Sequence, residues 1–437
     1  MPDPADEEDV TLVCPSDLRG RVPVPDLLRT GGVHCAYQPV VELATGEVVG
    51  REALLRTPEG SGWGSPLEVL DAAQEEGLLG ELEQASMSRA LADAAEASRG
   101  AGHTLFLNIE PRTLSRHIGL VLETLARRDP HVRVVVEITE RALAHDPAGI
   151  LDAAALLRAA GCAIALDDVG AVPDSLAFLP LLAPEVIKLD LQLLRTLEDP
   201  ATITVAGAVR ARAEATGARV VAEGIETRDD LTRALVLGAD LGQGWYLGRP
   251  HRVLPAGERH TGRLHRAPDP PDGDATPYDL VASRRAVRLA PKHLLLPLSR
   301  TLETAALAQR VPPLLLGTFQ DERHFTGQSA LRYGHLAERL PFVGALGTGS
   351  PASVPGGVRW ARVEPDEPLA REWAVVVLGA HESVALVGRE VGPPPTAPAG
   401  SREDRSRQFE FAVTHDHALV AQSAHALLRR FGADGRD

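Results

Sequence analysis

Aromatic residues make up only 4% of this 437-residue chain, so aliphatic side chains must fill whatever cores it builds. Cysteine is scarce as well. Cys14, Cys35 and Cys162 are an odd set without metal-ligand spacing, which argues against a disulfide framework or a thiolate zinc site. Reduced thiols in a cytoplasmic protein are the expectation. No apolar run approaches the roughly 20 residues needed to cross a bilayer. The opening MPDPADEEDV is acidic and lacks the basic start and apolar core of a signal peptide. Positive charge is in deficit too: 45 Lys and Arg stand against 60 Asp and Glu, a formal net charge of −15. This excludes broad binding to a nucleic-acid polymer or to an anionic membrane. An anionic substrate would then need metal ions or a few placed basic residues.

What is present is ordinary for globular protein, with 44% hydrophobic and 24% charged residues. The length is enough for two or three domains. Residues 1–30 are expected to form an N-terminal tail, acidic and then Pro-rich. Residues 35–43 and 47–55 read as strands joined at Thr45-Gly46. Ser65-Pro66-Leu67-Glu68 reads as a capping box that opens a helical region broken near Gly77 and Gly80 and ending near Ser98. Short apolar or β-branched runs at 104–107, 133–136, 163–166, 185–187 and 219–222 then alternate with helical segments. A last short strand leads into Gln243-Gly244-Trp245-Tyr246. The repeated strand–helix unit over 31–256 predicts an α/β fold, a (β/α)8 TIM-like barrel. An open doubly wound sheet is the alternative, weakened by the lack of Gly-x-Gly-x-x-Gly after the first strand. Residues 257–277, with Pro268, Pro270, Pro271, Gly273 and Pro277, read as a linker. Residues 278–437 read as a smaller α+β domain whose last helix starts at Asp416.

Strand ends carry the chemistry. The apolar run 163–166 leads into Asp167 and Asp168, and because neighbouring side chains on a strand alternate, the two carboxylates are expected to do different jobs. A loop-opening turn is the plainer reading of Asp-Asp-Val-Gly. Glu52, Asn108, Glu137, Lys188 and Glu223 fall at other strand ends, and in a barrel functional side chains collect there. Glu52, Asn108, Glu137 and Asp167 are hard oxygen donors suited to Mg²⁺ or Mn²⁺, with Asp168 beside them for a second ion. Two such ions activate water and stabilise a leaving oxygen in phosphodiester cleavage. Lys188 would orient the water or a phosphate oxygen. Glu223 or Glu226, flanking Gly224-Ile225, would act as general base or ligand. Taken singly, each carboxylate reads equally well as a helix cap, and Lys188 as the partner of Asp190. Spacing leaves two metal chemistries open: phosphodiester hydrolysis, and enolisation with Lys188 as base.

A family resemblance separates them. Residues from about 31 to 252 resemble the EAL domain of cyclic-di-GMP phosphodiesterases. The match runs through Tyr37-Gln38-Pro39, Glu52-Ala53-Leu54-Leu55-Arg56, Asn108 to Pro111 and Glu137-Ile138-Thr139-Glu140. It continues through Asp167-Asp168, Lys188-Leu189-Asp190, Glu223-Gly224-Ile225-Glu226 and Gln243-Gly244-Trp245, in the family's order. The resemblance implies a barrel whose first strand is antiparallel to the rest and hydrolysis of cyclic-di-GMP to linear pGpG. It implies metal ligation by Glu52, Asn108, Glu137 and Asp167, with Asp168 at a second ion. Lys188 would contact the attacking water and Glu223 would be the general base. Gln38, Arg56 and Gln243 would hold the dinucleotide, with Glu140 and Glu226 in support.

One segment departs from the family's Asp-Asp-Phe-Gly-Thr-Gly-Tyr-Ser-Ser-Leu. Here it reads Asp167-Asp168-Val169-Gly170-Ala171-Val172-Pro173-Asp174-Ser175-Leu176. In the family that loop supports the metals and a barrel dimer, so slow turnover and a weak homodimer are expected. A catalytically weak or inactive cyclic-di-GMP receptor is the alternative, and a scaffold without nucleotide a third. The C-terminal part resembles the DICT sensory domain through Thr318-Phe319-Gln320, Arg332-Tyr333, Glu372-Trp373 and Phe409-Glu410-Phe411. Its signal, ligand and partner are not legible in the residues, and Thr414 and Asp416 are expected to be helix caps.

Overall fold

Eight strands close into a barrel, β1 His34–Glu42, β2 Val48–Arg56, β3 His103–Asn108, β4 Val132–Thr139, β5 Ala163–Val169, β6 Val186–Leu189, β7 Arg219–Ala222 and β8 Leu241–Gly242. The structure, a computed structural model, describes residues 20–170, 173–260, 275–325, 327–392 and 398–432. β1 runs antiparallel to both β2 and β8, and the remaining pairs are parallel. The expected barrel and its reversed first strand are therefore both present.

Period-two alternation layers the lumen. Val40, Val49, Phe106, Val135, Ala165, Val186, Val221 and Leu241, one from each strand, pack into a single apolar cluster. Gly50 makes room for this layer, because a Cβ there would lie 2.6 Å from the Phe106 ring. Two residues further along β3 to β8, on the same side, come Asn108, Glu137, Asp167, Lys188, Glu223 and Gln243. On the reversed β1 the equivalent step runs backwards, from Val40 to Gln38, and Gln38 pairs in register with Glu52 of β2. The apolar layer thus forms a floor under a ring of polar side chains.

Residues 24–30 are not tail. Val24–Thr30 is a helix with a proline N-cap and a left-handed Gly31 behind it. Val24 and Leu27 are fully buried against Val69 and Leu82 of the helices after β2. Residues 257–260, expected in the linker, are packed against the far end of the barrel. There Arg51 binds Glu258 through Nε and an outer nitrogen, at 2.7 and 2.8 Å. His260 accepts from the Thr104 N–H at 2.8 Å. Of the linker, residues 261–274 lie outside the described residues.

The second domain is a seven-stranded mixed sheet built from β9 Arg288–Pro291, β10 Leu314–Asp321, β11 Val343–Thr348, β12 Val358–Arg362, β13 Glu372–Leu378, β14 Ser383–Val391 and β15 Gln408–Thr414. Its order is β12-β11-β10-β13-β14-β15-β9. Asp416 caps the last helix, His417–Leu428, accepting from the N–H groups of Ala418 and Leu419. One apolar cluster runs from the barrel helices into this domain, with Phe178 edge-on to Phe342 at 6.4 Å between ring centroids. Arg429 pairs with Asp152 at 2.9 Å, and Arg359 donates to the carbonyls of Ala144 and His145. Among the described residues no helix is long and apolar enough to cross a membrane.

Candidate active site

Lys188 sits at the centre of the polar ring and is 1% exposed. Its ammonium lies 2.7 Å from Glu137, 2.7 Å from Glu223, 3.1 Å from Asp167 and 3.7 Å from Glu52. It does not pair with Asp190, which caps the following helix by accepting from the Gln192 N–H at 2.6 Å. Glu52 receives two further donors, Asn108 Nδ2 at 2.6 Å and Gln243 Nε2 at 2.5 Å. Gln243 also donates to Gln38, and Gln38 to the Gly248 carbonyl, both at 3.2 Å. All eight strands therefore contribute to one connected cluster.

The cluster carries excess negative charge. Burial works against every ion in it. In Glu52 that penalty is outweighed by Lys188 and the Gln243 and Asn108 donors, which hold its carboxyl below the ordinary range. Burial and then repulsion from Glu52 push Glu137 well above that range despite Lys188. Burial lifts Glu223 to about 8 against the pull of Lys188. For Lys188 the order inverts: burial disfavours its charge, but Glu137, Glu223, Glu52 and Asp167 outweigh it and hold the proton on. One ammonium is thus shared among four carboxylates. Both oxygens of Glu137 and Oδ1 of Asp167 are buried without an aligned hydrogen-bond donor, although Lys188 Nζ is close to both groups. An all-oxygen donor set short of positive charge fits a hard divalent cation.

Asp168 departs from the alternation rule. The β5–β6 register slips between Leu166 and Val169, and Asp168 adopts φ 58°, a left-handed conformation rare for non-glycine residues. A regular strand would turn its side chain away from Asp167. Here Asp167, Asp168 and Glu223 each offer an oxygen within 4.8 Å of the others. The bulge thus overturns the orientation expected from strand alternation, bringing the two carboxylates to one side. Val169 is fully buried beside Leu189, whereas Ala171 and Val172, where the family loop is altered, lie outside the described residues.

The remaining candidates sit at the rim. Arg56 ends β2, half-buried, with its guanidinium on the Leu55 carbonyl. Glu226 is exposed, and its N–H donates to Asp230 in the capping box of the next helix, so its side chain is not part of the cluster. Glu140 begins the helix after β4, and its side chain lies outside the described residues. Gln243 is held from behind. The Ile225 N–H donates to its carbonyl at 3.0 Å, and a Cβ on Gly244 would come within 2.2 Å of the Ile225 carbonyl oxygen. Only glycine permits that approach. The left-handed Asp168 was the feature sequence reasoning missed; nothing in the order of residues marks it.

The EAL domain profile matches residues 22–250. A second profile, described as a sensory domain in diguanylate cyclases and two-component systems, matches residues 280–391. Among curated proteins, the chain is 32% identical over 238 residues to the cyclic di-GMP phosphodiesterase RocR of Pseudomonas aeruginosa, covering 52% of this chain and 60% of that one. It is 31% identical over 230 residues to the probable cyclic di-GMP phosphodiesterase PdeB of Escherichia coli, covering 50% and 43%. The chain thus spans less than two thirds of the length of these relatives. Among solved structures it is similar to BlrP1 of Klebsiella pneumoniae in complex with calcium and cyclic di-GMP, at 31% identity and a TM-score of 0.45, covering 50% of this chain and 56% of that one.

Proposed function

This chain belongs to the EAL domain family, and we propose that its barrel hydrolyses cyclic-di-GMP to linear pGpG at the Lys188 cluster, using two divalent ions, Mg²⁺ or Mn²⁺. The observation that carries the reading is the convergence of Glu52, Asn108, Glu137, Asp167, Asp168 and Glu223 around a single buried lysine. Glu52, Asn108, Glu137 and Asp167 would hold one ion, and Asp168, with Asp167 and Glu223 in reach, the other. Bound there, such ions polarise the phosphoryl group and acidify water.

The chain's own groups do the rest. Glu223, whose burial makes it a strong proton acceptor, takes a proton from the attacking water. Lys188, held charged by its neighbours, donates to the water oxygen or a phosphoryl oxygen and fixes the line of attack. The new P–O bond forms as the P–O3′ bond breaks, and the released 3′ oxygen takes up a proton. Gln38, Arg56 and Gln243 would hold the dinucleotide. The charge deficit of the site also disfavours enolisation with Lys188 as base, since a lysine among four carboxylates does not give up its proton.

A weakly turning-over receptor is the second reading, favoured by the altered sequence at 169–175. Incubating the purified full chain with cyclic-di-GMP and Mn²⁺ or Mg²⁺, while following both binding and pGpG release, separates the two. Binding without product selects the receptor; neither binding nor product rejects both. The C-terminal domain would act as the sensor.

A further inference from the structure

Where the last helix, His417–Leu428, meets the barrel helices Pro147–Ala159 and Pro200–Thr216, the two domains border a partly open cavity of about 370 Å³. That volume lies in the range of small-molecule sites, about 300–1,000 Å³. Its walls are mainly short apolar side chains, among them Ala154, Ala418 and Ala421. Among the described residues no carboxylate lines it.

Two polar side chains that line it each carry an unpaired atom. Arg212 Nε is buried without a hydrogen-bond partner, and so is Gln422 Oε1. Burial pulls the Arg212 guanidinium below its ordinary range, with no acidic group offsetting it. The other basic groups at the cavity do not compensate. Arg158 is already bound to Glu185 and to the carbonyls of Leu182 and Ala183. His417 is held neutral by burial and by Arg212 itself, and one of its ring nitrogens lies 3.0 Å from Ser383 Oγ. Arg212 is half-buried, and a guanidinium partly withdrawn from water beside an apolar wall is favoured by an anion that meets it.

We propose that this interdomain cavity binds a small organic acid: a carboxylate for Arg212, an apolar body for the alanine-lined wall, and one N–H or O–H donor for Gln422. The site is separate from the Lys188 cluster and does not rest on the phosphodiesterase reading. It has a route to that cluster, however. Pro180 and Leu182 line the cavity on the connection that leaves β5 after Asp168, and helix His417–Leu428 lines it from the C-terminal domain. A bound acid would therefore touch the sensor domain and the metal-strand connection together.

Isothermal titration of the full chain with indole-3-acetate, 4-hydroxybenzoate and octanoate, against the neutral indole-3-acetamide, tests the proposal. At least one acid should bind saturably and the amide should not. Arg212→Gln should weaken that acid on the order of 10- to 100-fold, as expected for a charge-assisted contact. Ala421→Phe should block it by filling the wall, without touching a charge. Glu223→Ala should leave it unchanged, which separates this site from catalysis. Equal binding of acid and amide, an acid affinity untouched by both cavity variants, or no saturable heat from any of the three acids at millimolar concentration would overturn the proposal.

Discussion

The ammonium of Lys188 on β6 lies 2.7 Å from the carboxylate of Glu223 on β7, on neighbouring strands of a closed barrel. Lys188 is fully buried and Glu223 half-buried; the carboxylates keep the proton on Lys188, while burial raises Glu223 to about 8 against the pull of Lys188. If Glu223 is the general base, Glu223→Ala should lower pGpG release by 10²- to 10⁴-fold while cyclic-di-GMP affinity changes only a few-fold. Single-turnover rates and equilibrium binding measured on the same variant check this. Near-normal turnover would remove the assigned role.

Lys188 also gives a prediction about stability. Lys188→Met leaves Glu52, Glu137, Asp167 and Glu223 facing one another with no cation. Removing one partner of a buried charge cluster typically costs about 3–5 kcal/mol. In the presence of EDTA this variant should therefore melt well below the parent. Saturating Mn²⁺ should restore more stability to the variant than to the parent, because an ion then replaces the lost charge. Thermal melts with and without Mn²⁺ decide it, and an equal Mn²⁺ effect on both proteins counts against metal ligation by these carboxylates.

Most of this site was legible because barrels make it so. Period-two alternation and strand-end placement are local rules, and they put Asn108, Glu137, Asp167, Lys188 and Glu223 in one ring before any contact was known. Two features were not legible. The left-handed turn at Asp168 comes from a register slip between β5 and β6, a long-range property of pairing. The packing of residues 257–260 against the barrel depends on Arg51, some two hundred residues earlier in the chain. In the second domain the edge strand β9 is hard to read from sequence, because it has four residues and shows no alternation: it is exposed at Arg288 and Leu289 and only half-buried after. The helix Val24–Thr30 was hidden by flanking prolines, although its Pro23 start and Gly31 stop are ordinary helix punctuation.

Arg51 and Glu258 set where the barrel can be cut. We propose the barrel domain as an independent unit, but its edge matters. A truncation ending at Ala256 removes Glu258 and leaves Arg51 buried and unpaired. One ending at His260 keeps the pair and the Thr104–His260 hydrogen bond. The shorter form should be less stable by about 3 kcal/mol or more. Chemical denaturation of the two lengths checks the difference. Both lengths uncover Phe178, so both should be more prone to association than the full chain.

His425 on the last helix makes the joint between the domains pH-dependent. Burial, then Arg429, pull it to about 4 against the opposing effect of Asp152. Between its unfolded value near 6.5 and about 4, the unfolded chain binds the extra proton, so stability falls as pH falls. The contribution is full above pH 6.5, and about 2 kcal/mol of it is gone at pH 5. Urea melts of the parent and of His425→Gln at pH 7 and pH 5 isolate this slope. The parent should lose about that much more than the variant, and parallel losses would show that His425 titrates normally.

Asp168 separates what the backbone wants from what the chemistry needs. Its φ of 58° costs roughly 1 kcal/mol for a residue with a Cβ and nothing for glycine. Burial, then repulsion from Asp167 and Asp190, also raise its carboxyl above the ordinary range, so the folded state carries that charge at a cost. Asp168→Gly removes both penalties and should match or exceed the parent in stability when measured in EDTA. Asp168→Ala removes the repulsion but keeps the strain, and should fall below Asp168→Gly by about 1 kcal/mol. If Asp168 holds a second ion as proposed, both should need far more Mn²⁺ for pGpG release, because that ion would lose the oxygen that the bulge turns toward Asp167 and Glu223. Melts in EDTA and Mn²⁺ titrations of turnover on the two variants give independent readouts. If Asp168→Gly were less stable than the parent, the left-handed turn would be held by contacts of the side chain itself. If its metal requirement were unchanged, the second ion would be bound elsewhere.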